Sequence, residues 1–206
     1  MIHYTTDELS KKQQYKFLSG SILPRPIAWV TTFDENHQTI NAAPFSFFNA
    51  AASDIPLVSL SILRKEGTQK DTARNILVTK EAVVHLVDDS VVEKMNQTSA
   101  SLAPDESEIL GADLETVPSN SVSVPGIKAA KLRMETVLHQ YIPLEGLDGQ
   151  VITDLFILKV TDFYFAEEIF DSQQEYILAD KLSPIARLAG NSYAHIADLF
   201  SLERPE

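Results

Sequence analysis

Apolar residues along this chain recur in short runs of β-branched and aromatic side chains, a composition typical of strands. Residues 27–33 (IAWVTTF) form such a run, and the polar cluster at residues 34–38 (DENHQ) has the composition of a turn. Extended character resumes at Thr39 and runs into residues 42–49 (AAPFSFFN). This part of the chain predicts a hairpin whose second strand ends in small, aromatic and polar residues.

Later runs predict further strands. The clearest alternation lies at residues 57–62 (LVSLSI), where Ser59 and Ser61 share one predicted face and the apolar residues share the other. The run at residues 151–165 is long enough to bend or to span the wall of a barrel. The remaining strands are predicted at residues 82–87 and 133–142.

The predicted helices are few and short. Residues 6–18 predict a leading helix with a threonine at position 5 or 6 as its N-cap. A second helix is predicted from Asp71 or Thr72 to about Lys80, because apolar residues recur there at helical spacing. Shorter helices are predicted at residues 90–96 and 104–110.

Two stretches lack regular periodicity. Residues 112–130 contain Pro118, Pro125 and Gly126 and predict a long connection, of the kind that is functional or lid-like more often than inert. Residues 183–205 predict a helix or loop followed by a final strand.

Six or more strands with few, short helices predict a mainly β fold, namely a predominantly antiparallel β-barrel with short peripheral helices. A length of 206 residues fits one domain, and an apolar content of 44% is sufficient for a core. Neither an internal repeat nor a domain boundary is evident, so we expect a single domain over residues 1–206.

The acidic composition narrows the class of partner. A formal net charge of −12 and a pI of about 4.8 disfavour binding to nucleic acid and to anionic membranes. An anionic cofactor remains compatible, because one or two cations at a pocket outweigh a diffuse and screened charge. The N-terminus shows no signal peptide, and no run reaches the ~20 apolar residues of a membrane helix, so we expect a soluble, cytoplasmic protein.

Several kinds of reactive centre are not supported. The chain has no cysteine, which excludes disulfides, thiol nucleophiles and thiolate metal sites. Its five histidines are scattered, so a metal site is not predicted, and His85 lies in the apolar run AVVHLV as a core residue. Its seven glycines form neither a GxGxxG fingerprint nor a Walker loop, which argues against a Rossmann domain or a P-loop NTPase.

The end of the predicted hairpin has the composition of a ligand bed. Small residues let a flat molecule approach the backbone, and Phe47 or Phe48 can supply an apolar wall. Ser46 and Asn49 can form hydrogen bonds with the ligand. The alternative is an ordinary hairpin whose second strand ends in a corner of the core.

A second cluster follows the third predicted strand. If a helix starts near Asp71, then Lys70, the hydroxyl of Thr72 and free backbone N–H groups converge on one point that suits a phosphate. Arg64 could add a bidentate contact, whereas Asp71 would cap the helix or orient Lys70. The alternative is a capped surface helix with ordinary basic residues. Together, the two clusters suit a flat ring joined to a phosphate, as in FMN and equally in pyridoxal phosphate.

Four blocks of sequence, in order, carry a family resemblance. PRPIAWVTT, NAAPFSFFNAAASDIPLVSLSI, KDTARNI and LSPIARLAGNSYAHI…FSLERP resemble the flavin reductase-like, FMN-binding split-barrel family, and within it the group called nitrilotriacetate monooxygenase component B-like. The matching blocks extend from about residue 15 to the C-terminus, which is nearly the whole chain.

The resemblance implies a split β-barrel homodimer that holds FMN in a groove at or near the subunit interface. NADH or NADPH reduces the flavin of such proteins, and the flavin is then kept or passed to a partner monooxygenase. Carried over by motif, the cofactor-binding residues are Ser46, Phe47 and Asn49 in the stretch that lines the flavin, Ser61, Arg64, Lys70, Asp71, Thr72 and Asn75 in a second binding stretch, and Arg187, Asn191 and Tyr193 in the C-terminal block.

The chain departs from the family pattern at one place. Two aromatic residues are expected after the Gly190–Asn191 pair, and the chain has Ser192 and then Tyr193. If the first aromatic covers the flavin ring in relatives, the pocket of this protein is more open.

A flavin reductase demands no catalytic acid, base or nucleophile, because the cofactors carry the chemistry. A cation such as Arg25, or backbone N–H groups, would stabilise the reduced ring, although Arg25 could equally form a structural ion pair. The main rival function is a non-enzymatic FMN electron carrier or redox sensor on the same fold. A second rival is a haem-binding or cofactor-free barrel. A weaker alternative is a pyridoxamine phosphate oxidase, which would need a second phosphate site.

Overall fold

Seven antiparallel strands form the main sheet of the structure, a computed structural model that describes residues 1–100, 102, 106–203 and 205. In chain order the strands are β1 Ala28–Phe33, β2 Ile40–Phe45, β3 Phe48–Ala52, β4 Leu57–Leu63, β5 Glu81–Leu86, β6 Thr116–Val117, β7 Gly126–Ile127, β8 Leu132–Glu145, β9 Val151–Phe165, β10 Phe170–Asp171, β11 Tyr176–Ile177, β12 Ile185–Arg187 and β13 Tyr193–His195. The helices are α1 Lys11–Ser21, α2 Asp71–Thr79, α3 Val92–Gln97, α4 Glu108–Gly111 and α5 Ala179–Leu182, with 3₁₀ turns at Thr6–Glu8 and Glu167–Ile169.

The spatial order of the main sheet is β2-β1-β5-β8-β9-β4-β3. Its two edge strands, β2 and β3, are consecutive in sequence and are connected only by Ser46 and Phe47. The N–H of Ser61 on β4 donates to the carbonyl of Phe47 at 2.9 Å, which fixes this link against the sheet. Because two residues connect the two edges, the sheet must curve back on itself at this point.

The concave face of the sheet carries the main core. On β4, Val58, Leu60 and Ile62 are buried, whereas Ser59 and Ser61 on the opposite face are partly exposed, as the alternation predicts. A second apolar cluster covers the other face of β1. It is centred on Trp29, whose Nε1 donates to Oγ1 of Thr98 at 2.9 Å, and includes side chains of α3, β7 and β12. The predicted mainly β fold with short peripheral helices is confirmed.

Two expectations about element boundaries are wrong. The predicted helix at residues 6–18 is a 3₁₀ turn followed by α1, because Ser10 starts the helix. The N–H of Gln13 donates to Oγ of Ser10, and the N–H of Ser10 donates to Oε1 of Gln13, which is a capping box. The turn that the sequence predicts at residues 51–56 is confirmed only at residues 53–56, because Ala51 and Ala52 belong to β3, which pairs with β4.

Towards the C-terminus, the final predicted strand is present as β13. It pairs with β12 in a hairpin that takes the place of the expected helix or loop. The predicted helix at residues 104–110 is described only in part. Pro104 and Asp105 lie outside the described residues, and α4 begins at Glu108.

The connection at residues 112–130 is fixed to the sheet, which contradicts the expectation of a lid. The carboxylate of Glu135, fully buried, accepts from the N–H groups of Asn120 and Ser121 at 2.9 and 2.7 Å. Val124 is buried, and the N–H of Ile127 donates to Nε2 of His85 at 2.8 Å. Besides its own short β6–β7 pair, this segment is therefore held by side chains of the main sheet.

Candidate functional site

Two grooves meet at Ser46, the first residue of the link between β2 and β3. Groove A has a volume of about 300 Å³, and groove B, on the other side of Ser46, has a volume of about 540 Å³. Groove A is lined by Leu18, Ile22, Pro24, Arg25, Pro26, Ser46, Phe47, Phe48, Asn49, Ser59 and Ser61. Groove B is lined by Ile27, Pro44, Phe45, Ser46, Met95, Asn96, Ser99, Arg187, Asn191 and Tyr193.

Groove A combines an apolar wall with polar groups. Phe47 of the link and Phe48 at the start of β3, together with the end of α1, supply the wall. Ser46, Asn49 and Ser61 supply hydroxyl and amide groups, and the backbone around them is held by the hydrogen bond from Oγ of Ser59 to the carbonyl of Asn49 at 3.3 Å. The structure thus brings together Ser46, Phe47, Asn49 and Ser61, four of the predicted cofactor-binding residues.

Arg25 lies in the wall of groove A and is only 6% exposed. Its guanidinium donates to the carbonyl oxygens of Ser19, of Ile22 at 2.8 Å and of Leu188 at 2.9 Å. Its Nε donates to Oγ of Ser46 at 3.4 Å. Among the residues that the structure describes, no carboxylate pairs with Arg25, so the ion pair considered from the sequence is absent and the charge is held by carbonyl dipoles.

Lys70 occupies the N-cap position of α2 with extended backbone, and its side chain does not cap the helix. Its Nζ lies 5.6 Å from the centroid of the Phe45 ring, at the end of β2. Burial lowers the pKa of the Lys70 ammonium, and repulsion from Lys65 lowers it further. The residue that precedes the N–H groups of the first helical turn therefore carries a cation, an arrangement that suits an anion.

The next three predicted residues, Asp71, Thr72 and Asn75, fix α2 in place. The carboxylate of Asp71 forms an ion pair with Arg74. Neither this side chain nor that of Lys70 caps the helix. Oγ1 of the buried Thr72 accepts from Nδ2 of Asn41 at 2.8 Å. Nδ2 of Asn75 donates to Oγ1 of Thr32 on β1 at 3.1 Å. These contacts set the position of the N-terminus of α2 relative to β1 and β2.

Arg64 belongs to an internal ion pair. Its Nε and Nη2 donate to the two carboxylate oxygens of the fully buried Asp154 side chain at 3.0 and 2.8 Å. The hydroxyl of Tyr141 and the amide of Gln69 donate to the same carboxylate at 2.8 and 3.0 Å. Burial raises the pKa of Asp154, but the hydrogen bonds from Arg64, Tyr141 and Gln69 outweigh burial and leave that pKa below its ordinary value. Sequence reasoning missed this network.

The C-terminal predicted residues lie in groove B, apart from groove A. The guanidinium carbon of Arg187 lies 4.5 Å from the centroid of the Tyr193 ring, and the hydroxyl of Tyr193 donates to Oδ1 of Asn96 on α3 at 3.2 Å. Asn191 lines the same groove from the exposed turn between β12 and β13. The structure therefore places seven of the predicted residues in two grooves that share Ser46. The other five, Arg64, Lys70, Asp71, Thr72 and Asn75, line neither groove.

His85 is a core residue, as predicted. Its Nδ1 lies 2.8 Å from the carbonyl of Trp29, and its Nε2 accepts from the N–H of Ile127, so the proton of the neutral ring resides on Nδ1. Burial lowers its pKa to about 4.

Over the described ranges, no cluster of three or more histidine, aspartate and glutamate side chains could hold a metal ion. No helix in the same ranges is long and apolar enough to cross a membrane.

The chain belongs to the flavin reductase-like family, because the family model described as flavin reductase like domain matches residues 19–181. That membership makes it a split-barrel flavoprotein of the oxidoreductase class. The family resemblance found in the sequence is confirmed. Groove A fits the flavin that this family implies, since its aromatic wall suits the apolar part of the ring and its hydroxyl and amide groups suit the polar edge.

Relatives resemble the chain over almost their whole length. An uncharacterized protein, YwrF, of Bacillus subtilis strain 168 is 48% identical over 205 residues, which cover 100% of both chains. The crystal structure of nitrilotriacetate monooxygenase component B from Bacillus cereus superposes with a TM-score of 0.94 at 44% identity, covering 98% of each chain. That of 2-nitrobenzoate 2-nitroreductase NbaA from Pseudomonas fluorescens superposes with a TM-score of 0.88 at 29% identity, covering 99% of this chain and 96% of that one.

Proposed function

We propose that this protein is a flavin reductase that binds FMN in groove A and accepts a hydride from NADH or NADPH. The observation that carries the proposal is the meeting of two grooves at Ser46, because hydride transfer needs two ring systems side by side. Bound flavin supplies the two-electron acceptor, and the protein supplies position and electrostatics.

The residues of groove A have distinct roles in this proposal. Phe47 packs against the apolar part of the flavin ring, and Ser46 and Asn49 form hydrogen bonds with its polar edge. Ser61 lines the groove on the partly exposed face of β4. Arg25 places a positive charge beside the ring, where it favours the negative charge that the ring gains on reduction.

FMN is proposed over FAD because the predicted phosphate position is a single point. Lys70 and the first turn of α2 supply one cation and one set of N–H groups, which matches one terminal phosphate. Arg64 is less suited to this contact, since Asp154 already engages its guanidinium through two hydrogen bonds. The positions of Thr72 and Asn75 support an indirect role, in which they hold α2 against the sheet.

We propose a homodimer in which a second copy covers groove A. Leu18 on α1 and Ile22 directly after it line that groove and are 56% and 60% exposed, and Leu23 beside them is also exposed. A second copy bound there would cover these apolar side chains and would also exclude water from the flavin. Light scattering coupled to gel filtration tests this directly, with an expected mass of about twice 22.9 kDa and a contrary result if the flavin-loaded protein elutes as a monomer.

A partner monooxygenase that receives the reduced flavin is a further proposal. Its support is the similarity to the Bacillus cereus protein, which is named as a component of a monooxygenase. The substrate of such a partner is left open, because fold similarity is a warrant for a class of chemistry rather than for a pathway.

The test of the proposed function is spectroscopic. We would purify the protein, record its visible spectrum, release the cofactor and weigh it by mass spectrometry, and then add NADH or NADPH without oxygen. Bands near ~375 and ~450 nm that bleach within seconds are expected of the reductase. Bound flavin that stays oxidised would instead indicate a carrier or sensor, and a protein that takes up no added FMN would refute the assignment of groove A.

A further inference from the structure

Residues 64–70, between β4 and α2, form a small hairpin of their own. The N–H of Lys65 donates to the carbonyl oxygen of Thr68 at 3.2 Å, and the N–H of Thr68 donates to that of Lys65 at 2.9 Å. Glu66 and Gly67 at the tip both have positive φ, 52° and 79°, as in the two-residue turn that closes a tight hairpin. This pairing fixes which residues lie opposite each other on the two arms of the 64–70 hairpin.

One buried carboxylate holds both arms of the 64–70 hairpin. Arg64 lies opposite Gln69, and both donate to Asp154, Arg64 through two hydrogen bonds at 3.0 and 2.8 Å and Gln69 through one at 3.0 Å. The N–H of Arg64 also donates to the carbonyl oxygen of Ile152 at 2.9 Å, so the first arm continues the pairing of β4 with β9. The second arm leads directly into Lys70, the N-cap of α2. Asp154 therefore fixes the position from which Lys70 and α2 begin.

The alternation of side chains places two lysines together on the other face of the 64–70 hairpin. The side chains at positions 64 and 69 point to Asp154, so those of Lys65 and Lys70, one position further along each arm, point away from it. Lys70 lies two residues beyond the partner of Lys65, which makes the two lysines diagonal neighbours about 7–8 Å apart, within reach of long side chains.

The same face is continuous with groove A. Ser59 and Ser61 line that groove from the outer face of β4, and Lys65 continues their row at the next positions of the same parity. Four residues separate Ser61 from Lys65, a distance of about 13 Å along an extended chain. The ribityl chain of FMN separates the ring from the phosphate by a distance of this order.

Lys65 and Lys70 are cations without a carboxylate partner. Over the described ranges neither forms an ion pair, and the neighbouring Asp71 is engaged by Arg74. Burial lowers the pKa of Lys70 and repulsion from Lys65 lowers it further, which confirms that the two charges interact. A bound anion would relieve this repulsion. A phosphate monoester carries about 1.5 to 2 negative charges at pH 7, so two cations match one phosphate.

We infer that Asp154 is the positioning residue of the phosphate site, because it closes the 64–70 hairpin and thereby holds Lys65 beside Lys70 as a second cation for the phosphate of FMN. The inference rests on the proposed function, which places the flavin ring in groove A and its phosphate at Lys70. It adds Lys65, which the sequence analysis did not select, to the binding residues. Arg64 then acts through the hairpin and does not contact the phosphate itself.

The experiment compares FMN with riboflavin, which lacks only the phosphate. Fluorescence titration of the apoprotein gives both dissociation constants, and the riboflavin value divided by the FMN value is the phosphate ratio. We expect a ratio of about 10 to 100 in the wild type, the scale of charged hydrogen bonds. Lys65→Ala should lower the ratio about 10-fold and change riboflavin binding less than twofold. Lys80→Ala, at the far end of α2, is the matched control and should keep the wild-type ratio.

Two further variants separate positioning from stability. Gln69 and Tyr141 both donate to Oδ1 of Asp154, but Gln69 belongs to the 64–70 hairpin and Tyr141 to β8. Gln69→Ala should therefore lower the phosphate ratio about fivefold, whereas Tyr141→Phe should keep it within twofold of the wild type. Asp154→Asn should lower the ratio about 10-fold. Urea unfolding reports the stability of each variant, and the Gln69 and Tyr141 pair decides the matter even if Asp154→Asn does not fold.

The outcomes distinguish the inference from the proposed function. A phosphate ratio that is unchanged in Lys65→Ala, or lowered equally in Gln69→Ala and Tyr141→Phe, would overturn the inference, while normal reduction of the bound flavin by NADH or NADPH would leave the proposed function standing. A wild-type ratio near 1 would also overturn the inference, since the protein would then make no contact with the phosphate. The expected ratios in a protein whose flavin neither nucleotide reduces would support the inference and overturn the proposed function. A wild-type protein that binds neither flavin would overturn both.

Discussion

Nε of Arg25 lies 3.4 Å from Oγ of Ser46, while the rest of the same guanidinium binds the carbonyl oxygens at the end of α1 and that of Leu188. One buried side chain thus joins the N-terminal helix and the segment after β12 to the wall shared by both grooves. A flavin in groove A would interact electrostatically with the positive charge of this side chain.

We expect Arg25→Gln to lower the reduction potential of the bound flavin by about 30 mV or more, equivalent to about 1.4 kcal/mol for a two-electron couple. The reason is that the variant removes a positive charge next to the ring that becomes negative on reduction. Equilibration with a reference dye measures the potential, and Arg25→Lys, which keeps the charge, serves as the control. Equal potentials in the wild type and Arg25→Gln would contradict this role.

Lys70→Ala should weaken FMN binding by about 1–3 kcal/mol, the scale of a charged hydrogen bond to phosphate. Fluorescence titration of the apoprotein measures the dissociation constant. Lys80→Ala, at the opposite end of α2, is the matched control and should bind FMN like the wild type. An unchanged dissociation constant in Lys70→Ala would refute the phosphate assignment.

The lowered pKa of Lys70 adds a pH dependence to flavin affinity. Burial and Lys65 make this ammonium lose its proton at a lower pH than an ordinary lysine. FMN affinity should therefore fall as the pH rises through the alkaline range, and Lys70→Ala should bind weakly with a flatter profile over the same range. Parallel profiles for the two proteins would show that another group is responsible.

His85 should make the protein less stable in acid. Its pKa is lowered to about 4 in the folded state from 6.5, so between these values the unfolded chain binds a proton that the folded chain does not. Its contribution to the free energy of unfolding is therefore constant above pH 6.5 and decreases as the pH falls towards 4, by about 3 kcal/mol in total.

His85→Gln tests that contribution, because a glutamine amide can both donate to Trp29 and accept from Ile127. Urea unfolding from pH 7 to pH 4 should show a shallower loss of stability in the variant than in the wild type. Flavin content is expected to stay intact in His85→Gln and in His85→Phe. Loss of flavin from a folded variant would show that His85 has a role in the site.

Asp154→Asn should lower the free energy of unfolding by about 3 kcal/mol, because removing one partner of a buried ion pair leaves the other uncompensated. The side chain of Arg64 is 20% exposed and regains some solvation, which keeps the loss at the lower end of the usual range. Chemical denaturation measures it, with Lys128→Ala as the exposed ion-pair control, for which little change is expected. Equal stability of Asp154→Asn and the wild type would rule out a structural role for the pair.

The sequence predicted the fold wherever one face of a strand is buried. On β4 the alternation of Val58, Leu60 and Ile62 with serines is visible in the sequence and matches the structure. β3 was missed because its residues, Phe48–Ala52, are mostly small and exposed, and only pairing with β4 makes them a strand. Such long-range pairing leaves no local pattern.

The site was only partly predicted from the sequence, for a related reason. Groove A residues adjacent in sequence were found, whereas the partners of Arg25 and Arg64 lie far along the chain. A signal for Asp154 existed, since this carboxylate is in phase with the buried Phe156 and Leu158 on β9. A charged residue on the inward face of a strand indicates a buried partner, but it does not name that partner.

The position of β9 between β8 and β4 has a consequence for synthesis of the protein. Leu63 pairs with Thr153 and Leu57 with Lys159, so one edge of β4 stays open on the ribosome until the second long strand emerges. Open strand edges are sites of intermolecular pairing, and contacts so distant in sequence form late. Chains that terminate before residue 151 would therefore leave the edges of β4 and β8 exposed at the same time. We expect these truncated products to aggregate in the cell.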